Sequence, residues 1–211
     1  MTSIDDLLTR AQTLASTGKR TVLGITGAPA SGKTTLAWRI ADALGTRAVV
    51  VGMDGFHLAQ VELARLGRTD RKGAPETFDA HGYVHLVRRL SEGTEPVYAP
   101  EFRREIEEPI AGAVPVSPEV QVVITEGNYL LLDTEPWDQL RALLDEAWFL
   151  APNEDERLER LVSRHRYYGR SLVEAKQRAL GSDQRNADLI KPTAARADLV
   201  VEDMHLQNFA V

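Results

Sequence analysis

The 211-residue sequence contains no cysteine, so a disulfide framework, a thiol nucleophile and a thiolate-bound metal are all excluded. Zinc held by histidine and carboxylate remains formally open. No apolar run approaches the about 18 residues that a membrane-spanning helix needs, and charged residues make up 27% of the chain. A membrane span, a collagen-like chain and a disordered chain are therefore not expected. Basic residues are in no excess: 25 lysines and arginines stand against 31 aspartates and glutamates, a net charge of -6. That balance argues against broad binding to a nucleic-acid backbone. Met1-Thr2-Ser3-Ile4-Asp5-Asp6 lacks the basic and apolar regions of a signal peptide, so a cytoplasmic location is the expectation.

What is present suffices for one sizeable core: 43% of the residues are hydrophobic, and the length suits a single α/β domain over 1–211. Ser3 followed by Ile4, Leu7, Leu8, Ala11, Leu14 and Ala15 reads as a capped amphipathic helix within residues 1–18. Short β-rich runs at 21–26, 48–51, 120–125, 147–150 and 199–201 read as buried strands. Helical patterns run through Leu36, Ile40 and Leu44, and over 80–90, 136–144, 154–168 and 171–180. This alternation predicts a mostly parallel sheet. Residues 97–116 are the least regular, punctuated by Pro100, Pro109 and Pro115; they read either as an excursion near the site or as a β-hairpin at the domain edge. No heptad run is present, and monomer and homodimer both stay open.

Gly27-Ala28-Pro29-Ala30-Ser31-Gly32-Lys33-Thr34 matches the P-loop pattern in full, between a predicted strand and a predicted helix. Its glycines let amide N–H groups converge on one concavity, and the helix N-terminus adds positive potential for an anion. Gly27, Ala28, Pro29, Ala30, Ser31, Gly32, Lys33, Thr34 and Thr35 are the expected ATP-binding set. Lys33 would reach the β- and γ-phosphates, and the Thr34 hydroxyl would join the shell of a magnesium ion. A chance glycine-rich turn does not account for complete spacing with both flanks.

In Val51-Gly52-Met53-Asp54-Gly55-Phe56-His57 a carboxylate ends the next strand, where ligands of α/β sheets gather. Such a group can accept a proton from an attacking hydroxyl or help hold metal, although Asp-Gly is also a common turn. Val122-Val123-Ile124-Thr125-Glu126-Gly127-Asn128 is an apolar strand ending in an acid, which is either a magnesium-shell carboxylate or an ordinary strand end. Arg157, Arg160, Arg164, Arg166 and Arg170 form a series whose first three members share a helix face. They either neutralise a transferred phosphoryl group from a closing lid or pair in solvent with Glu156 and Glu159. His57, His81 and His85 are rejected as zinc ligands, because Gly82 stands where the HExxH pattern requires glutamate. Trp38, Trp137 and Trp148 are expected to pack within the core.

Taken in order, GAPASGKT, MDGFH, RKGAPETFD and ITEGNYLLL resemble the P-loop kinases of the uridine kinase, phosphoribulokinase and bacterial pantothenate kinase group. The resemblance runs from about Thr21 to Glu202 and is strongest to compact bacterial nucleoside/nucleotide kinase-like or fructose-transport-system kinases. It implies a three-layer fold with a five-stranded parallel sheet in the order 2-3-1-4-5 and a small helical lid over residues 157–170. It further implies ATP and magnesium as cosubstrates and a small hydroxyl compound as acceptor, with no nucleic-acid or membrane partner. Asp54 maps onto the base that activates the acceptor, Lys33 and Arg164 onto the phosphate-directed cations, and Thr34 and Glu126 onto the metal shell. Asp54, His57, Arg71, Lys72 and Glu76 are the candidate acceptor contacts. Two departures stand out: His165 follows Arg164 where uridine kinases usually have aspartate, and Phe102-Arg103-Arg104 stands where relatives tend to show an aromatic-Asp pair. The rival readings are a P-loop NTPase switch or assembly factor, which hydrolyses nucleotide to change a partner's binding, and, more weakly, a nucleic-acid module.

Overall fold

The computed structural model describes residues 2–202. Its strands are β1 (Thr21–Gly27), β2 (Ala48–Gly52), β3 (Val97–Arg103), β4 (Glu108–Val116), β5 (Val122–Glu126), β6 (Glu146–Ala151) and β7 (Leu199–Glu202). Five of them form one parallel sheet in the order β2-β5-β1-β6-β7. Counted along the chain without β3 and β4, that order is 2-3-1-4-5, as the resemblance implied.

Side chains alternate across these strands, so each β-branched run serves two cores. Leu23, Ile25, Val122, Ile124, Trp148 and Leu150 pack with Leu7 and Ala11 of α1 (Ile4–Leu14) and with Leu36 and Ile40 of α2 (Lys33–Leu44). Val22, Val51, Val123, Ala147 and Phe149 belong to a second cluster. It takes in Tyr83, Val84, Val87 and Leu90, which follow one another after α3 (Gln60–Arg65) on α4 (Ala80–Glu92). Three further helices complete the set: α5 (Glu154–Tyr167), α6 (Leu172–Leu180) and α7 (Ser182–Ile190). Side-chain caps mark the starts of α1, α4, α5 and α6: Ser3 and Ser171 form capping boxes, and Asp79 and Asn153 accept amide N–H groups of the first turn.

Two expectations need correction. Residues 136–144 form two 3-10 turns, Trp137–Gln139 and Arg141–Leu143, rather than a helix. Trp137, Leu140 and Leu144 still bury together, and a chain of three-residue turns satisfies that spacing as well as an α-helix does. Trp38 is 53% exposed, because the buried stripe of α2 runs through Leu36, Ala37, Ile40 and Ala41 and leaves position 38 outside. The α3 and α7 segments had no sequence reading as helices. Residues 97–116 resolve into an antiparallel β3–β4 hairpin, whose two-stranded form leaves unpaired edges that tolerate Pro100, Pro109 and Pro115. No helix among the described residues is long and apolar enough to cross a membrane.

Candidate functional site

β1 ends at the carboxyl edge of the sheet and turns into residues 27–34. At Gly27 (φ 147) a Cβ would lie 2.6 Å from the Leu150 carbonyl oxygen and 2.8 Å from Ser31 Oγ, so only glycine lets β6 approach here. Gly32, at φ 96, caps the start of α2. Lys33 then folds back over the loop: Nζ donates to the carbonyls of Gly27 and Ala28, each at 3.0 Å. The side chain is 7% exposed, and burial pulls its pKa from 10.5 down to about 8; Glu126 opposes that shift and Arg164 adds to it. Thr34 and Thr35 follow in the first turn of α2.

The Thr34 hydroxyl donates to Glu126 Oε1 at 3.1 Å. Register explains the meeting, since Glu126 at the end of β5 lies opposite Gly52 on one side and Ile25 on the other. Glu126 is 9% exposed, and burial raises its pKa first, with the Asp54 charge adding to the rise and Lys33 opposing it. A buried carboxylate short of positive charge, joined to a hydroxyl, is a hard-oxygen set that suits magnesium. Among the described residues no three histidine, aspartate or glutamate side chains gather as a metal site. An ion there would draw the rest of its shell from phosphate and water.

Asp54 lies in the 3-10 turn Met53–Phe56 that follows β2, and its Oδ2 accepts from Arg104 Nη2 at 3.2 Å. Gly55 permits this neighbourhood: a Cβ would sit 2.5 Å from the Pro100 carbonyl oxygen, so β3 seats directly on the turn. His57 does not open freely onto the cleft. Its Nδ1–H donates to the Asp54 carbonyl at 2.8 Å, its ring packs against Phe78 and Phe102 at 4.0 and 4.8 Å, and burial lowers its pKa. Arg71 and Glu76 pair with each other. Lys72 Nζ donates to the Glu107 carbonyl at 2.6 Å and lies 4.9 Å from the Phe102 ring centre, tying this segment to the hairpin. The Tyr129 hydroxyl and Asn186 both donate to the Gly73 carbonyl, at 2.5 and 3.1 Å. A separate cavity of about 540 Å³, bounded by Arg68, Phe78, Asp79 and Trp137, shares only Glu76 with the expected residues.

The arginine series divides. Arg157 is 1% exposed and clamps the P-loop, donating to the Pro29 carbonyl at 3.1 Å and Gln184 at 2.9 Å while pairing with Glu154 at 2.6 Å. Neither a solvated face nor a phosphate-directed group describes it. Arg160 donates to the Glu156 carbonyl at 3.2 Å. The Arg164 side chain has no hydrogen bond or ion pair among the described residues, yet it lies within electrostatic reach of Lys33, Asp54 and Arg104. Arg166 and Arg170 lie exposed, so Arg164 is the half-buried member of the series left to meet an anion at the P-loop. His165, the departure from the uridine kinase pattern, pairs with Asp183 at 2.7 Å and so joins α5 to α7. Phe78 and Tyr129 had no sequence reading as site residues; Phe102 and Arg104 were signalled by the Phe102-Arg103-Arg104 departure, and Arg157 was read within the arginine series but not as a clamp on the P-loop.

Comparison with known proteins bears on this arrangement. Residues 22–210 match the profile of the Phosphoribulokinase / Uridine kinase family. A Schizosaccharomyces pombe protein named as a candidate uridine kinase is 33% identical over 217 residues, covering 98% of this chain and 91% of its own. An ATP-dependent kinase-like protein of Aspergillus versicolor is 39% identical over 146 residues, 64% of this chain and 85% of its own. The crystal structure of a candidate fructose transport system kinase from Silicibacter sp. TM1040 superposes with a TM-score of 0.85 at 38% identity, covering 94% of this chain and 98% of that one.

Proposed function

This chain belongs to the phosphoribulokinase/uridine kinase family, and from that premise we propose that it transfers the γ-phosphoryl group of ATP to a hydroxyl of a sugar, nucleoside or related small metabolite. One observation carries the reading. The Asp54 carboxylate stands at the same strand ends as Lys33 and the Thr34–Glu126 pair, close enough for its charge to act on both Lys33 and Glu126. Nucleotide hydrolysis by a switch protein does not call for a second, half-exposed carboxylate there; proton removal from an alcohol does.

On nucleotide binding, Lys33 exchanges the Gly27 and Ala28 carbonyls for β- and γ-phosphate oxygens, which favour its charged form. Thr34 and Glu126 would hold magnesium, whose chemistry is to neutralise charge on those phosphates. Asp54 orients the acceptor O–H and takes its proton as the new O–P bond forms and the bond from the γ-phosphorus to the bridging oxygen breaks, releasing ADP. Arg164, whose charge already reaches Lys33 and Asp54, offsets charge on the transferred group. ADP release from Mg-ATP across sugars, nucleosides and pantothenate, with products identified by mass spectrometry, tests this. A phosphorylated acceptor is expected; hydrolysis that no alcohol changes would move the reading to a P-loop switch.

A further inference from the structure

The acceptor side carries a positive charge that phosphoryl transfer to a plain alcohol does not need. Arg104 lies in the turn between β3 and β4, and its one ion-pair partner among the described residues is Asp54. The guanidinium, 3.2 Å from Asp54 Oδ2, occupies the carboxylate edge that an acceptor hydroxyl has to reach. For Asp54 to act as a base, Arg104 must turn to another anion. Among the neighbours that bear on it, Lys72 and Arg164 are cations, Glu107 already engages Lys72, and the Glu126 carboxylate, whose charge Arg104 also meets, is bonded to Thr34. Phe102 holds two of these cations beside the base, with Lys72 at 4.9 Å and Arg104 at 5.8 Å from the ring centre. Arg104 is 44% exposed in its side chain, which leaves it room to swing.

We propose that the acceptor itself supplies the anion: a small hydroxylated compound whose carboxylate or phosphate group is held by Arg104 while its hydroxyl reaches Asp54. This rests on the kinase reading above and names the substrate class within it. Because the guanidinium already touches the base, the anionic group and the reacting hydroxyl are separated by only a few bonds, as in a short hydroxy acid or a sugar phosphate. Drawn onto the substrate's anion, Arg104 leaves Asp54 Oδ2, and that oxygen opens to the acceptor hydroxyl only when such a substrate is in place. A neutral alcohol leaves the ion pair closed. The transfer balances as before: the acceptor oxygen bonds the γ-phosphorus, its proton goes to Asp54, and ADP leaves.

Matched acceptors test this with the full chain and Mg-ATP: D-glycerate against glycerol, and ribose 5-phosphate against ribose, each with the unmodified protein and Arg104→Gln. A charged member is expected to exceed its neutral twin in kcat/KM by on the order of 30-fold, the range of one hydrogen bond to a charged group. Arg104→Gln is expected to erase that ratio with the KM for ATP unchanged, and the carboxylate and phosphate pairs identify which anion is read. A neutral member used as well as its charged twin overturns the inference and leaves the kinase reading intact. So does a raised KM for ATP in Arg104→Gln, which would put that side chain on the nucleotide. Turnover unmoved by every acceptor of both kinds overturns the kinase reading, and this inference with it.

Discussion

On the P-loop side of the cleft, residues 27–34 carry the loop, its lysine and the Thr34 hydroxyl proposed for magnesium in a single unbroken stretch, and Lys33 lies buried within it. On the proposed acceptor side, Asp54, Lys72, Tyr129 and the Phe102–Arg104 stretch come from separate segments and meet through ion pairs, ring contacts and a loop carbonyl, much of it at the surface. The contrast follows from what each side must recognise. Phosphates of a nucleotide present the same geometry to every enzyme that uses them, and backbone amides on a fixed turn answer it locally. An acceptor is specific to one reaction, and separate side chains on separate loops can be changed one at a time without disturbing the turn.

The largest expected effect breaks the nucleotide side alone. Lys33→Ala should reduce phosphoryl transfer on the order of 10³-fold, the scale of losing one preorganised charge from a transition state, measured as ADP release at saturating acceptor. Asp54→Asn should separate the sides: kcat falls on the order of 10²- to 10³-fold, the scale of a lost general base. Calorimetry should find Mg-ATP binding unchanged, and a kcat that stays put would remove Asp54 as the base. Next comes Arg157→Met. Losing a buried guanidinium from the Pro29 carbonyl and Gln184 should cost about 2 kcal/mol in urea unfolding, less than for a fully buried pair because Glu154 is half-exposed. The KM for ATP should rise with it, since the same side chain holds the P-loop.

A gentler test uses pH. Burial lowers the Lys33 pKa to about 8 in the free protein, and bound phosphate raises it again, so nucleotide binding takes up a proton wherever free Lys33 has lost one. Affinity for ATP should therefore be level below pH 8 and fall by up to about tenfold per unit above it, a slope that Lys33→Ala removes. The smallest effect is expected from Tyr129→Phe, which deletes one hydrogen bond to the Gly73 carbonyl worth about 1 kcal/mol. The KM for the acceptor should rise several-fold while that for ATP stays unchanged; an equal rise in both would show that the two sides are coupled.

How much of this was legible beforehand follows the same division. The P-loop, the acid after β2 and the acid ending β5 were readable because each is a local pattern at a strand end. The helix starts were readable from Ser3 and Ser171, whose capping boxes involve residues three positions apart. Residues 136–144 were misread because Trp137, Leu140 and Leu144 fit both a helix and successive 3-10 turns. Trp38 was misread because an aromatic beside an apolar stripe does not reveal on which side of the stripe it falls. Arg157 was visible as one of several arginines, but its partner Pro29 is 128 positions away and no spacing rule joins them.

The amino acids alone therefore determined what depends on neighbours in the chain: strand and helix periods, the phosphate-binding turn and the three polar groups expected to serve it. The parallel sheet follows from those periods, since alternating short strands and helices bury both faces only in that way. Tertiary structure alone decided that Arg104 rests on Asp54, that Phe102 gathers His57, Lys72 and Arg104, and that among the described residues the Arg157 side chain is bonded while that of Arg164 is not. These are contacts between segments whose approach is set by packing of the hairpin on the turn at Gly55 and of α5 against the P-loop. Charge placed by packing leaves no period in the sequence, because an arginine serves a distant partner equally well from any register that reaches it.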